Sequence, residues 1–126
     1  MRALESLTGL RVVADPAALD AARWQGDVAA VLRFAPDDVF ALGAVGVDVA
    51  DQDAIVESDV GFVGAWLPLD AILAHVEWSM PVERPALAQG SIAGVPAKVW
   101  LPADADGDAL LVTAAAYADE LAGRLR

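Results

Sequence analysis

The sequence predicts an α+β fold: two βαββ units forming a mostly antiparallel sheet with helices packed on one face, plus a C-terminal helix. Three observations carry this expectation. The order strand, helix, strand, strand is read once in the first half of the chain and again in the second. A proline-aspartate turn, APDD at 35–38, separates two apolar runs as in a β-hairpin. In the segment 68–77, Leu69, Ile72, Leu73 and Val76 recur at i, i+3, i+4 and i+7, a single helical stripe facing a core.

The first unit opens with LRVVA (10–14), a short strand. Asp15 and Pro16 follow as a side-chain N-cap and a first-turn proline, predicting a helix over 16–24 that Gly26 closes. The runs VAAVLRF (28–34) and VFALGAV (39–45) then form the hairpin. The acidic stretch 46–59, with Asp48, Asp51, Asp53, Glu57 and Asp59, reads as a loop or an exposed strand. In the second unit, GFVGAWL (61–67) is a strand, Pro68 opens the amphipathic helix, and a Pro-rich connection (79–90) crosses to a strand ending in AKVWL (97–101). An acidic turn leads to ALLVT (109–113). A last helix over 114–125 is expected to bury Tyr117, Leu121 and Leu125 and to pair Glu120 with Arg124 at i+4.

Composition narrows the function classes. The 126 residues, 57% of them hydrophobic, are enough for one domain with its own core, so 1–126 is read as a single domain. Nineteen acidic against eight basic residues give a formal net charge of -11, which repels nucleic-acid phosphates and anionic membranes. The absence of cysteine removes disulfides, thiolate metal sites and cysteine nucleophiles. Charged residues interrupt every apolar run before it reaches a spanning length, and Glu5 breaks the N-terminal run a signal peptide needs, so the expected compartment is the cytoplasm.

Candidate chemistry is sparse. Asp104, Asp106 and Asp108 alternate around Gly107 as in a calcium loop, but an EF-hand starting at Asp104 needs glycine sixth and glutamate twelfth, whereas Gly107 is fourth and Ala115 is twelfth. A solvated hairpin tip fits the pattern better. His75, the single histidine, lies about 110° from the centre of the apolar stripe at about 100° per residue, on the flank of its helix. With no second histidine or cysteine it makes a poor metal site, and Ser79 is too near in sequence for a catalytic triad. Asp70 and Glu77 read as a solvated helix face. The glycines of GFVGAW and GSIAGVPA match no phosphate-binding fingerprint and read as strand glycines that make room for a neighbour. Of four tryptophans, Trp66 and Trp100 fall in strands and are expected in the core, whereas Trp24 and Trp78 end helices and are candidate interface residues.

The segments GFVGAWLPLDAILAHVEW, SIAGVPAKVWL and DALLVTAAAYADELAGRL, with the hairpin LRFAPDDVFAL, resemble the gamma subunit of heterotetrameric sarcosine oxidase and, distantly, the tetrahydrofolate-binding aminomethyltransferase fold. The similarity covers about 28–126 and lies in element order and apolar pattern. It implies an accessory subunit that packs against a flavoprotein oxidoreductase and has neither an active site nor a cofactor of its own; a homo-oligomer is the other assembly left open. A second reading is a stand-alone binding protein for a folate-like small ligand, with Arg33, Arg84 and Gln89 as the converging polar groups. A third, an enzyme built on carboxylates and His75, has no local motif behind it.

Overall fold

In the computed structural model, which describes residues 4–76, 78–81, 83–104 and 106–125, strands and short helices alternate along the chain. The elements are β1 (Glu5–Val13), α1 (Pro16–Asp20), β2 (Arg23–Ala35), β3 (Asp38–Asp48), β4 (Ile55–Leu67), α2 (Leu69–Leu73), β5 (Ala86–Ile92), β6 (Val95–Leu101), β7 (Ala109–Ala114) and α3 (Ala118–Arg124), with a 3-10 turn at Ala115–Tyr117 before α3. The strands follow the order β2-β3-β1-β4-β7-β6-β5, and the described pairings are antiparallel. The fold is therefore α+β, as expected. Two compact units are distinguished, Leu7–Val60 and a second made of residues 4–6 with 61–125.

In the Leu7–Val60 unit, β3 pairs with β1 on one side and β2 on the other. The Pro36-Asp37 turn joins β2 to β3 as the sequence predicts, with Ala35 opposite Asp38. Leu10, Val12, Val39 and Ala41 share a cluster with Leu19 of α1, and each such burial contributes about 1.5–3 kcal/mol for the larger side chains. Helix α1 is shorter than the 16–24 expected. Arg23 and Trp24 instead pair with Asp48 and Val47 of β3, because ladder hydrogen bonds satisfy more backbone groups than one further helical turn would. Gly26, at φ 108, lies at a bulge in β2 and closes no helix. Asp15 occupies the N-cap position, but its side chain makes no capping hydrogen bond.

That helix start is held from outside. Asp51, in the loop between β3 and β4, accepts the Asp15 N–H at 2.8 Å through Oδ2 and the Asp53 N–H at 2.9 Å through Oδ1. These two donors, that of Asp15 foremost, hold the Asp51 carboxyl below its ordinary value of 3.8. A depressed folded-state pKa contributes stability above the unfolded value, and that contribution disappears as pH falls through the folded one. Asp51→Ala is therefore expected to be less stable than the unmodified protein near neutrality and equal to it in strong acid. Urea midpoints of both proteins from about pH 7 to about pH 2 check this; a gap that persists at the acid end would contradict it.

In the second unit, β4 pairs with β7, β7 with β6, and β6 with β5. Alternate residues Val95, Ala97, Val99 and Leu101 of β6 turn to one side and join Ile72 of α2 and Leu121 and Leu125 of the C-terminal segment in one core cluster. Both helices of this unit thus cover the same face of its strands. Trp66 and Trp100, on the alternate register, meet edge to face with ring centroids 5.9 Å apart.

The 79–90 connection contains a strand that the sequence reading misses. Residues 86–92 pair along their full length with 95–101 through a two-residue turn, Ala93-Gly94, in which both residues have positive φ (50 and 81). Helix α2 ends at Leu73 instead of continuing to 77, and Leu73, placed on the buried stripe by periodicity, is 38% exposed. The final helix begins at Ala118, and Tyr117, expected in the core, is 40% exposed in the 3-10 turn that precedes it. Leu121 and Leu125 are buried, and Glu120 pairs with Arg124 at 2.5 Å, both as expected.

Candidate functional site

The best-formed concavity lies in the second unit, where the chain leaves α2. A shallow depression of about 360 Å³ lies between α2 and the end of α3; Leu67, Ile72, Ile92, Leu111 and Leu125 behind it are buried core residues, and the exposed side chains at its mouth are Ala71 and Ala74. His75 stands at its rim together with Ala71 and Ala74. A second cleft, about 480 Å³, shares Ala74 and His75 and continues past Trp78, Ser91 and Gly94. Among the described residues, His75 is thus the one titratable group lining either space.

Local geometry explains this placement. Past α2 the His75 N–H donates to the Ile72 carbonyl at 3.0 Å, ending the helix in a tight turn. The His75 carbonyl accepts the Ala93 N–H at 3.3 Å, which fastens the segment to the β5–β6 turn. Among the described residues the imidazole has no hydrogen-bond partner. The sequence reading put His75 on the flank of a helix, half exposed; the structure keeps it half-buried but beyond the helix end. Glu77, read as part of the same polar face, lies outside the described residues.

The two tryptophans proposed as an interface are each engaged within their own unit. Trp24 is a residue of β2, not of a helix end, and packs on the cluster around Val12 and Val39. Trp78 lies over β5, its indole so close to Gly90 that a Cβ there would fall 3.0 Å from the ring, and its Nε1–H donates to the Ser91 carbonyl at 2.8 Å. Neither is largely exposed. The glycine at 90 does make room for a neighbour, as its pattern implies, and that neighbour is Trp78.

Arg33, Arg84 and Gln89 line none of the cavities described. Arg33 clamps its own unit, bonding Asp20 at 2.9 Å and the carbonyls of Pro16 and Pro36. Arg84 turns back on the carbonyls of Pro81 and Glu83 in the loop before β5, while Gln89 is an exposed residue within that strand. The acidic turn after β6 is a solvated turn: Asp104 accepts the Asp106 N–H through Oδ1 at 3.0 Å and the Gly107 N–H through its carbonyl at 3.1 Å. Among the described residues no group of three or more His, Asp or Glu side chains is placed to hold a metal ion.

One further feature escaped the sequence reading. Val45 is 80% exposed, and in β4 Ile55, Val56 and Val60 are 56%, 44% and 66% exposed. Val56 and Val60, four apart on a strand, project to the same side. The acidic segment 46–59 reads from sequence as a loop or an exposed strand, and from Ile55 on it is an exposed strand. Nearby, Asp59 and Asp38 receive Arg11, whose Nε lies 2.5 Å from Asp38 Oδ1 and whose guanidinium stacks 4.8 Å over Phe34. The hydrogen bond that Arg11 donates to Asp38, ahead of the charges of Asp38 and Asp59, holds the Arg11 pKa above its ordinary value.

Searches against protein-family models, curated proteins and solved structures give no match. No helix among the described residues is long and apolar enough to cross a membrane.

Proposed function

We propose that this protein is a non-catalytic accessory subunit or interaction module of an oxidoreductase complex, the role implied by its resemblance to the sarcosine oxidase gamma subunit. The observation that carries the interaction half of this reading is the pair of exposed aliphatic side chains Val56 and Val60, on one side of β4. Leaving such side chains in water gains nothing for a single chain, and burying them against a partner removes apolar area from solvent. The oxidoreductase half rests on the resemblance alone. The contact surface assigned here is aliphatic and lies in the Leu7–Val60 unit, in place of the Trp24 and Trp78 pair.

Affinity purification of the tagged protein from its native host tests both halves. Stoichiometric recovery of a flavin-containing oxidoreductase is expected. Recovery of the protein alone, as monomer or homodimer, would overturn the reading. The double substitution Val56→Asp/Val60→Asp is expected to reduce the recovered partner by about tenfold or more, with the melting temperature little changed because both side chains are already exposed. Undiminished recovery would remove β4 from the interface.

A further inference from the structure

We propose that the first half of β4 is an open strand edge, and that residues 55–60 take up an extended, basic, β-branched segment of the partner as an added strand. The inference rests on the partner-docking reading and adds the chemistry of what docks. Its first support is the length of the ladder. β4 lies between β1 and β7 in the strand order, and its pairing with β7 covers Phe62 to Leu67. Phe62 stands opposite Ala114, the last residue of β7, and at Ala115 the chain enters the 3-10 turn. β7 therefore has no strand residue left to pair with 55–60, a stretch that spans about 20 Å at about 3.3 Å per residue.

Its second support is that no described residue covers this stretch. Ile55, Val56, Glu57 and Ser58 are exposed in succession, and so is Val60. Successive residues of a strand point to opposite faces, so a helix or loop lying along the stretch would bury alternate members, and none of these five is buried. Open main-chain N–H and C=O groups at strand spacing are matched by one kind of occupant, another strand, which satisfies them as a ladder does. The side chains define the rest of its chemistry. Val56 and Val60 flank Ser58 on one side and call for aliphatic residues opposite. On the other side Asp59 already faces Arg11 at 3.6 Å, whereas Glu57 makes no ion pair among the described residues and calls for Lys or Arg. A second copy of this chain fits less well. Paired antiparallel about Ser58 it would set Val56 against Val60 but also Glu57 against Asp59, like charges across the ladder.

The test probe is a short acetylated and amidated peptide of alternating valine and lysine, with its valine-glutamate counterpart as the charge control. Two further copies are N-methylated, one at every valine and one at every lysine, so that each keeps the side chains and loses the main-chain donors of one edge. Amide hydrogen exchange of the full chain reads binding. Saturable protection of amides within 55–60 by the lysine peptide is expected, with the glutamate peptide and one of the two N-methylated copies about tenfold weaker or worse. Glu57→Lys, at an exposed position, should shift the preference toward the glutamate peptide by about threefold or more. No saturable protection, or full protection by both N-methylated copies, would overturn strand addition; a partner still recovered with the tagged protein, and lost with Val56→Asp/Val60→Asp, would then leave the docking reading standing without it. Protection of 55–60 that rises with protein concentration in the absence of peptide would mean that the edge takes a second copy, and would overturn the assignment to a basic partner segment.

Discussion

Phe40→Ala is expected to destabilise the protein by about 3–5 kcal/mol. Phe40 is fully buried on β3, opposite Arg11 of β1 and Leu32 of β2. At Gly9 a Cβ would meet the Ala41 carbonyl oxygen at 2.2 Å and Phe40 Cε1 at 3.0 Å, so the ring packs beside a strand position with no room for a side chain. Removing the ring leaves a cavity that a strand backbone cannot fill, since the ladder fixes the spacing of β1 and β3. In urea the midpoint should fall by about 2 M with little change in slope. Phe40→Leu, which keeps most of the volume, should cost about 1 kcal/mol. A loss below about 1 kcal/mol for the alanine variant would mean that the site relaxes and the ring is not central to the core.

Gly43→Val is expected to cost about 3 kcal/mol, for a backbone reason. Gly26 of β2 pairs with Ala44 and Ala30 pairs with Leu42, so Asp27, Val28 and Ala29 all bulge opposite Gly43. At that point Gly43 has φ 85, and an added Cβ would stand 2.1 Å from the Asp27 carbonyl oxygen. Left-handed strain and collision with a main-chain atom therefore arise together. Gly43→Ala should lose most of the same stability, because both penalties come from the Cβ itself. Thermal unfolding of the two variants provides the check, and an alanine variant within about 0.5 kcal/mol of the parent would show that the bulge gives way.

The parts of the fold legible in the sequence are those determined by near neighbours. APDD between apolar runs specified a turn, and the alternating or continuous runs 39–45, 61–67 and 109–113 all lie within strands. The misreadings came where a distant partner decides. Arg23 and Trp24 continue a helical pattern locally, but β3, more than twenty residues on, draws them into a ladder. Residues 86–92, ALAQGSI, have few β-branched or aromatic side chains, and only pairing with β6 makes them a strand. The candidate site was illegible for the same reason. His75 meets Ala93 only through the turn between β5 and β6, which leaves no mark near residue 75. What the sequence did offer was a lone histidine beside an aliphatic stripe.

The two ends of the strand order differ in chemistry and agree in effect. At one, β2 carries the three-residue bulge opposite Gly43; at the other, β5 has an indole laid across Gly90 and hydrogen-bonded to the Ser91 carbonyl. A straight run of open amides is the seed for fibre growth, and here each terminal strand is interrupted partway along. Backbone pairing of a second chain along either terminal strand would thus break off partway.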